Sequence, residues 1–112
     1  MAVTKTLLAN KVLEKLGRIA AGESVDSDDQ AVCDDAYESV YEEMRSRHLV
    51  DWGSAESIPT WAMLHVRNIV ANRVANDFGL ARNEQEEASA FRAMGKHVAV
   101  DYSYQAVKAD YY

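Results

Sequence analysis

Nine acidic side chains lie between Arg18 and Arg45, in a stretch that contains no lysine or arginine. The nine residues are Glu23, Asp26, Asp28, Asp29, Asp34, Asp35, Glu38, Glu42 and Glu43. Carboxylates at this density could bind a metal ion, act as a catalytic acid and base, begin a helix or present a negative surface. Each of these alternatives requires a different spacing between the carboxylates.

The stretch that begins at Asp26 starts like a calcium-binding loop, because Asp26 and Asp28 occupy its first and third positions. Such a loop also needs a glycine at the sixth position and a bidentate glutamate at the twelfth. Here those positions hold Ala31 and Tyr37. The sequence therefore predicts the start of a helix and no calcium site.

Paired carboxylates occur four residues apart at Asp34 and Glu38 and at Glu38 and Glu42, so each pair would lie side by side on a helix. A catalytic pair needs two different environments, one that keeps a carboxyl protonated and one that leaves it ionised. These residues fall on the side of the helix away from Tyr37 and Tyr41. We therefore expect a solvated acidic face, which consists of Asp34, Asp35, Glu38 and Glu42.

The cysteine and histidine residues do not form a catalytic or zinc-binding pattern. Cys33 is followed by two aspartates, whose negative charge opposes ionisation of the thiol, so we expect it to pack in the core. The histidines at 48, 65 and 97 lie far apart, and none has another histidine or cysteine three or four residues away. With no glycine-rich phosphate loop or nucleophile elbow, the sequence predicts that the protein is not an enzyme and needs no metal or cofactor.

Composition is that of an ordinary globular domain: 112 residues, of which 48% are apolar and 27% charged. The formal net charge of −6 disfavours a protein that binds nucleic acid through its phosphates. The single cysteine excludes an internal disulfide framework and suits a reducing compartment. No apolar stretch reaches the roughly 20 residues that cross a bilayer, and charged residues interrupt the N-terminal region. We expect no membrane segment, no signal peptide and a cytoplasmic setting.

Apolar residues that recur every three or four positions predict four helices. The first spans residues 4–16 and ends at Gly17, the second spans 27–48, and the third spans 58–78 with Pro59 in its first turn. The buried face of the second helix is predicted to contain Cys33, Ala36, Tyr37, Val40, Tyr41, Met44 and His48. Asn83 and Glu86 resemble a capping box that opens the fourth helix, which runs through residue 98.

The periodicity is lost from residue 101, so the last residues either continue the fourth helix or form an extended arm. No stretch alternates like a strand. The predicted fold is all-α: a small, four-helix bundle-like domain at residues 1–101, followed by an aromatic C-terminal arm at residues 102–112.

Two groups of aromatic residues extend this prediction. Trp52 and Trp61 bracket the loop that contains Pro59, and we expect them to pin it to the core, since tryptophan buries a large area. The C-terminal arm contains Tyr102, Tyr104, Tyr111 and Tyr112. Tyrosine is enriched at interfaces, so these four side chains are predicted to contact a neighbouring chain; the alternative is a disordered tail.

The stretches TLLANKVLEKLG, AVCDDAYESVYEEMRSRHLVDWG and IPTWAMLHVRNIVANRVANDFGL, with the acidic loop between the first two, resemble the head-completion adaptor proteins of tailed bacteriophages. The likeness is to the short-tailed type that stabilises packaged DNA. It covers roughly residues 4–80, and it depends on helix lengths, the KLG stop and the aromatic–glycine turn after the second helix.

This resemblance implies a virion protein that assembles in the host cytoplasm and forms a ring, commonly of twelve copies, under the portal at the capsid vertex. Such a ring extends the DNA channel, retains packaged DNA and provides the docking surface for tail components. The implied partners are the portal protein, a tail or nozzle protein, other copies of the chain and double-stranded DNA, which passes without sequence-specific binding. The C-terminal segment of such proteins often reaches the portal or an adjacent subunit, which would suit the four tyrosines. Many short-tailed members carry a longer C-terminal extension than this chain does.

In such a ring, the acidic residues and the arginines would have different roles. The acidic face at Asp34, Asp35, Glu38 and Glu42 would line the channel and repel DNA phosphates, so that the duplex slides. Four arginines would meet an acidic surface on the portal or on the next subunit: Arg67, Arg73, Arg82 and Arg92.

An alternative of a different class is an acidic helical regulatory module that captures a basic partner or mimics nucleic acid. Oligomeric state on the portal distinguishes this alternative from an adaptor. A hydrolase would need a carboxylate pair in two different environments, which the spacing does not favour.

Overall fold

The computed structural model describes residues 5–20, 23, 25–53 and 57–110, with side chains between residues 6 and 99 of those ranges. They contain the α-helices α1 (Lys5–Lys15), α2 (Ser27–Ser46), α3 (Thr60–Val74) and α4 (Glu84–Asp110). A short 3-10 helix, Ala75–Phe78, follows α3. None of the described residues lies in a β-strand, so the prediction of an all-α fold is confirmed.

The helices begin where side-chain chemistry favours a start. Asp26 has an extended backbone before α2, and Asp28 and Asp29 occupy the first turn, where negative charge complements the helix dipole. Pro59 also has an extended backbone, and its carbonyl accepts the N–H groups of Ala62 and Met63. Hence α3 starts two residues later than predicted, with the proline just before its first turn.

Left-handed residues follow α1, α2 and the 3-10 helix: Gly17 and Gly79 have φ of 74°, and His48 has φ of 59°. After α2, the N–H of Leu49 donates to the carbonyl of Met44 at 2.9 Å, and the N–H of His48 donates to that of Arg45 at 3.0 Å. This is the Schellman pairing of a helix C-terminus. The prediction that His48 lies on the buried face is wrong, because α2 ends at Ser46 and the left-handed turn leaves His48 exposed.

The core surrounds α3, which contacts α1, α2 and α4. Apolar side chains therefore occur on most sides of α3, and Val66, Ile69 and Val70 are fully buried. Two residues predicted on its apolar side, Met63 and Phe78, are only partly buried. The core-facing residues of the other helices include Leu8, Val12 and Leu13 of α1, Tyr37, Val40 and Met44 of α2, and Phe91 and Met94 of α4.

The fourth helix has 27 residues and continues without interruption through Asp110. Its length is about 40 Å at 1.5 Å per residue. Of the two alternatives for the residues after 101, the helical one is therefore present in the backbone as far as Asp110. Tyr102 and Tyr104 lie on this helix with undescribed side chains, and Tyr111 and Tyr112 lie outside the described residues.

Candidate functional site: an arginine–carboxylate cleft

The predicted acidic face is present on α2. Asp35 and Glu42 are exposed, and Asp34 and Glu38 are partly buried. Gln30 donates from Nε2 to Oδ1 of Asp34 at 3.1 Å. None of these four carboxylates is buried, so they lack the contrast of environments that an acid–base pair requires.

The next two aspartates after Asp26 lie at the beginning of α2. Asp28 and Asp29 lie in the first turn of α2, and Asp29 pairs with Arg18 at 3.7 Å. Across the described residues, no three histidine, cysteine, aspartate or glutamate side chains are placed to hold a metal ion together.

Cys33 is 2% exposed, which confirms its predicted place in the core. Burial raises the pKa of its thiol to about 11, with further contributions from the negative charges of Asp34 and Asp29. The sulfur is therefore almost entirely protonated at neutral pH and is a poor nucleophile.

Glu87, in the first turn of α4, lies at the centre of a chain of alternating charges. Its side chain is 6% exposed. Arg82 donates to its two carboxylate oxygens at 2.9 and 3.0 Å, and Arg73 donates to one of them through Nε. Arg73 also donates through Nη2 to Glu43, which accepts a further bond from Arg47 at 2.9 Å. This five-residue network joins α2, α3 and α4 by charge-assisted hydrogen bonds.

The network determines the ionisation of its central groups. Burial acts to raise the pKa of Glu87, but the hydrogen bonds from Arg82 and Arg73 prevail and hold that pKa below its ordinary value. Burial acts to lower the pKa of Arg73, yet its bonds to Glu87 and Glu43 prevail and raise that pKa. The carboxylate of Glu87 and the guanidinium of Arg73 are therefore both charged at neutral pH.

Asn72, a 6% exposed residue of α3, fixes the start of α4. Its Nδ2 donates to the carbonyl of Asn68 at 2.8 Å and to Oε1 of Glu86 at 2.9 Å, and its Oδ1 accepts the N–H of Asn83 at 2.7 Å. Asn83 in turn accepts the N–H of Glu86 at 3.1 Å, as predicted. The second half of the predicted capping box does not form, because Asn72 takes the N–H of Asn83 and the Glu86 carboxylate binds Asn72 and Lys15.

A cleft of about 550 Å³ opens beside the five-residue network. The described residues that line the cleft are Glu43, Arg47, Leu49, Arg73, Arg82, Glu84, Glu87, Ala88, Phe91 and Arg92. The guanidinium carbon of Arg47 lies 4.1 Å from the centroid of the Phe91 ring, within the range of a cation–π contact. The described wall residues include no serine, cysteine or histidine.

The four arginines predicted for an interface fall into two places. Arg73, Arg82 and Arg92 line the cleft. Arg67 lies outside it and donates to Oδ1 of Asn68 at 3.2 and 3.0 Å. The charges of Arg73 and Arg82 are already paired with glutamates of the same chain, and the contact of these arginines with another subunit stays a prediction.

A second cluster, of aromatic residues, ties the loop after α2 to the core. Trp52 is 6% exposed, its Nε1 donates to the hydroxyl of Tyr37 at 3.0 Å, and its carbonyl accepts the hydroxyl of Tyr41 at 2.6 Å. The ring of Trp52 meets Trp61 edge-on at 6.1 Å, and Trp61 stacks on His97 of α4 at 3.9 Å. The predicted packing of Trp52 in the core is thus confirmed, whereas Trp61 is partly buried and extends the contacts to α4. Residues 54–56 of the loop lie outside the described residues.

His65 of α3 lies near this cluster. Burial, followed by the charge of His97, lowers the pKa of His65 below its ordinary value. Its imidazole is therefore neutral at physiological pH.

No helix in the part of the chain that the structure describes is long and apolar enough to span a membrane. Comparisons of the chain with protein-family models, with curated proteins and with solved structures found no match.

Proposed function

We propose that this chain is a structural, non-enzymatic protein of a tailed bacteriophage that assembles into a ring, commonly of twelve copies, as a head-to-tail adaptor. In this role it extends the DNA channel beneath the portal, retains packaged DNA and offers tail components a docking surface. Its place is the neck of the virion, after assembly in the host cytoplasm.

The course of α4 is the main observation in support. Its backbone remains helical through Asp110 and therefore carries Tyr102 and Tyr104 on a helix about 40 Å long. The molecule measures 53 × 26 × 22 Å, so this helix exceeds either of the two shorter dimensions. A long helix that carries two tyrosines in its C-terminal half, on a small helical body, suits a protein that works by reaching a neighbour.

The acidic face of α2 supports the same proposal. It is accessible to water and does not form an acid–base pair, so its charge is available to act at a distance. In a ring, carboxylates that line the channel would repel the phosphates of the passing duplex. A lining of lysine and arginine would instead bind the DNA by releasing its counterions.

Electron microscopy of the purified protein mixed with the portal protein from the same genome tests the assembly. We expect a ring-shaped layer added to one end of the portal. Replacing the four tyrosines Tyr102, Tyr104, Tyr111 and Tyr112 by serine should prevent attachment. Replacing them by phenylalanine is the matched control, because it keeps the aromatic area, and it should preserve the layer.

Absence of any added layer with the unmodified protein would overturn the adaptor proposal. If the protein instead stays apart from the portal and binds a basic protein in solution, the regulatory module is the better explanation.

The channel hypothesis has its own test in virions that carry Asp34→Asn, Asp35→Asn, Glu38→Gln and Glu42→Gln together. We expect slower ejection of DNA, since the repulsion between the channel and the phosphates is removed. Unchanged retention and ejection would refute the channel-facing position of these residues and would leave ring assembly untouched.

A further inference from the structure

We propose that the cleft beside α4 binds a small organic anion, one that carries a carboxylate or phosphate group next to an apolar group. Arg47, Arg82 and Arg92 would hold the oxyanion, and Phe91 and Leu49 would contact the apolar part. This inference does not depend on ring assembly.

The charges of the cleft favour an anion. Its described walls contain four arginines and three glutamates, in a chain whose formal net charge is −6. Glu43 and Glu87 already accept hydrogen bonds from the arginines of the five-residue network. Arg92 donates to the hydroxyl of Ser89 at 3.2 Å and contacts no carboxylate within the described ranges. With Glu84 as the third carboxylate, the four arginines and three glutamates of the walls leave one net positive charge for a ligand.

The arginines also retain unused hydrogen-bond donors. A guanidinium group has five N–H bonds. Arg82 uses Nε and Nη2 on Glu87, whereas Arg47 uses Nη2 on Glu43. Among the residues that the structure describes, Nη1 of each arginine donates to no acceptor. The side chains of Arg47 and Arg82 are 51% and 40% exposed, so an oxyanion can reach these donors from solvent.

We infer that the ligand has an apolar part because apolar side chains line the cleft beneath the arginines. Phe91 and Leu49 line the cleft and are each 8% exposed. The stacking of Arg47 on Phe91 holds the guanidinium over an apolar floor. The volume of about 550 Å³ lies in the range of small-molecule sites.

The probes for this proposal are phenyl phosphate and phenylacetate, with benzyl alcohol as a neutral compound that carries the same ring. Binding to the full chain is measured by calorimetry and by NMR shifts of the arginine side chains, at constant ionic strength. We expect at least one anion to bind and benzyl alcohol not to bind. Arg92→Gln should weaken the binding about tenfold, since it removes a charged donor. Arg67→Gln removes the same charge outside the cleft and should leave the affinity unchanged.

Binding of phenyl phosphate alone would identify phosphate as the recognised group, and binding of phenylacetate alone would identify the carboxylate. The proposal is overturned if neither anion binds, if benzyl alcohol binds as well as the anions do, or if the two arginine variants lose affinity equally. Because Arg92 is exposed and hydrogen-bonds only to Ser89 among the described side chains, its substitution should not unfold the protein, and a thermal melt checks this.

Discussion

The substitution Glu87→Gln should remove the charge that holds Arg73 and Arg82 together while keeping the size of the side chain. Breaking a fully buried ion pair by loss of one partner costs about 3–5 kcal/mol, whereas exposed pairs contribute up to about 1 kcal/mol. Glu87 is buried, but the side chains of Arg73 and Arg82 are 27% and 40% exposed, so solvent screens part of the interaction. Glu43 also remains to pair with Arg73.

We therefore expect the free energy of unfolding to fall by about 2 kcal/mol, or the Tm to fall by about 10 °C for a domain of this size. Urea denaturation followed by circular dichroism measures this change. The matched control is Glu84→Gln, which removes an exposed charge from the same first turn and so has the same effect on the helix dipole. It should change the stability by at most about 0.5 kcal/mol. Equal losses in the two variants would refute the importance of the network.

The same substitution predicts a pH dependence. The pKa of Glu87 is lowered in the folded protein, so the unfolded chain binds this proton more readily than the folded chain does. Its contribution is complete above the unfolded pKa of about 4.3 and is lost as the pH falls through the folded pKa. The stability difference between the unmodified protein and Glu87→Gln should therefore be full at pH 7 and shrink in acid. A difference that stays constant down to the acid transition would contradict the assigned ion pairs.

Three further substitutions probe other parts of the fold. His48→Gly should raise the free energy of unfolding by up to about 1 kcal/mol in urea titrations, because glycine adopts the left-handed conformation without strain. A lower free energy of unfolding would contradict the left-handed conformation at the end of α2. Asn72→Ala should lower the free energy of unfolding by about 2 kcal/mol, since the N–H of Asn83 loses its acceptor. The control Asn68→Ala, one turn earlier, should lower it less. Equal losses would argue against the role of Asn72 at the start of α4. Because the pKa of His65 is lowered in the folded protein, the unfolded chain takes up a proton near pH 6.5 more readily than the folded protein does. His65→Gln should therefore reduce the loss of stability between about pH 7.5 and 5.5. An unchanged loss would assign the effect to other groups.

The helices could be predicted because their signals are local. The stop at Gly17 and the cap at Asn83 act within one turn of their own helix, and the apolar period identified Cys33 and Tyr37 as core residues. The exception is His48, where a residue other than glycine takes the left-handed position and no local pattern marks it.

The cleft could not be predicted, because its partners are distant in sequence; the sequence singled out Arg73, Arg82 and Arg92 only as candidates for an interface. Arg73 and Glu87 lie 14 residues apart, and Arg73 and Glu43 lie 30 residues apart. Glu87 by itself has the pattern of an ordinary acidic residue in the first turn of a helix. Only the packing of α3 against α4 makes it a buried charge with two arginine partners, so no spacing rule would have separated it from its exposed neighbour Glu84.

The burial of Cys33 has a practical consequence for labelling. The sequence contains no other cysteine, and a pKa raised from 9.0 to about 11 leaves Cys33 with roughly 100-fold less thiolate near neutral pH than an exposed cysteine has. A single cysteine introduced on the surface would therefore react with a maleimide dye long before the native thiol does. Pairs of dyes placed in this way would report by energy transfer whether copies of the chain meet, with the wild-type interior left intact.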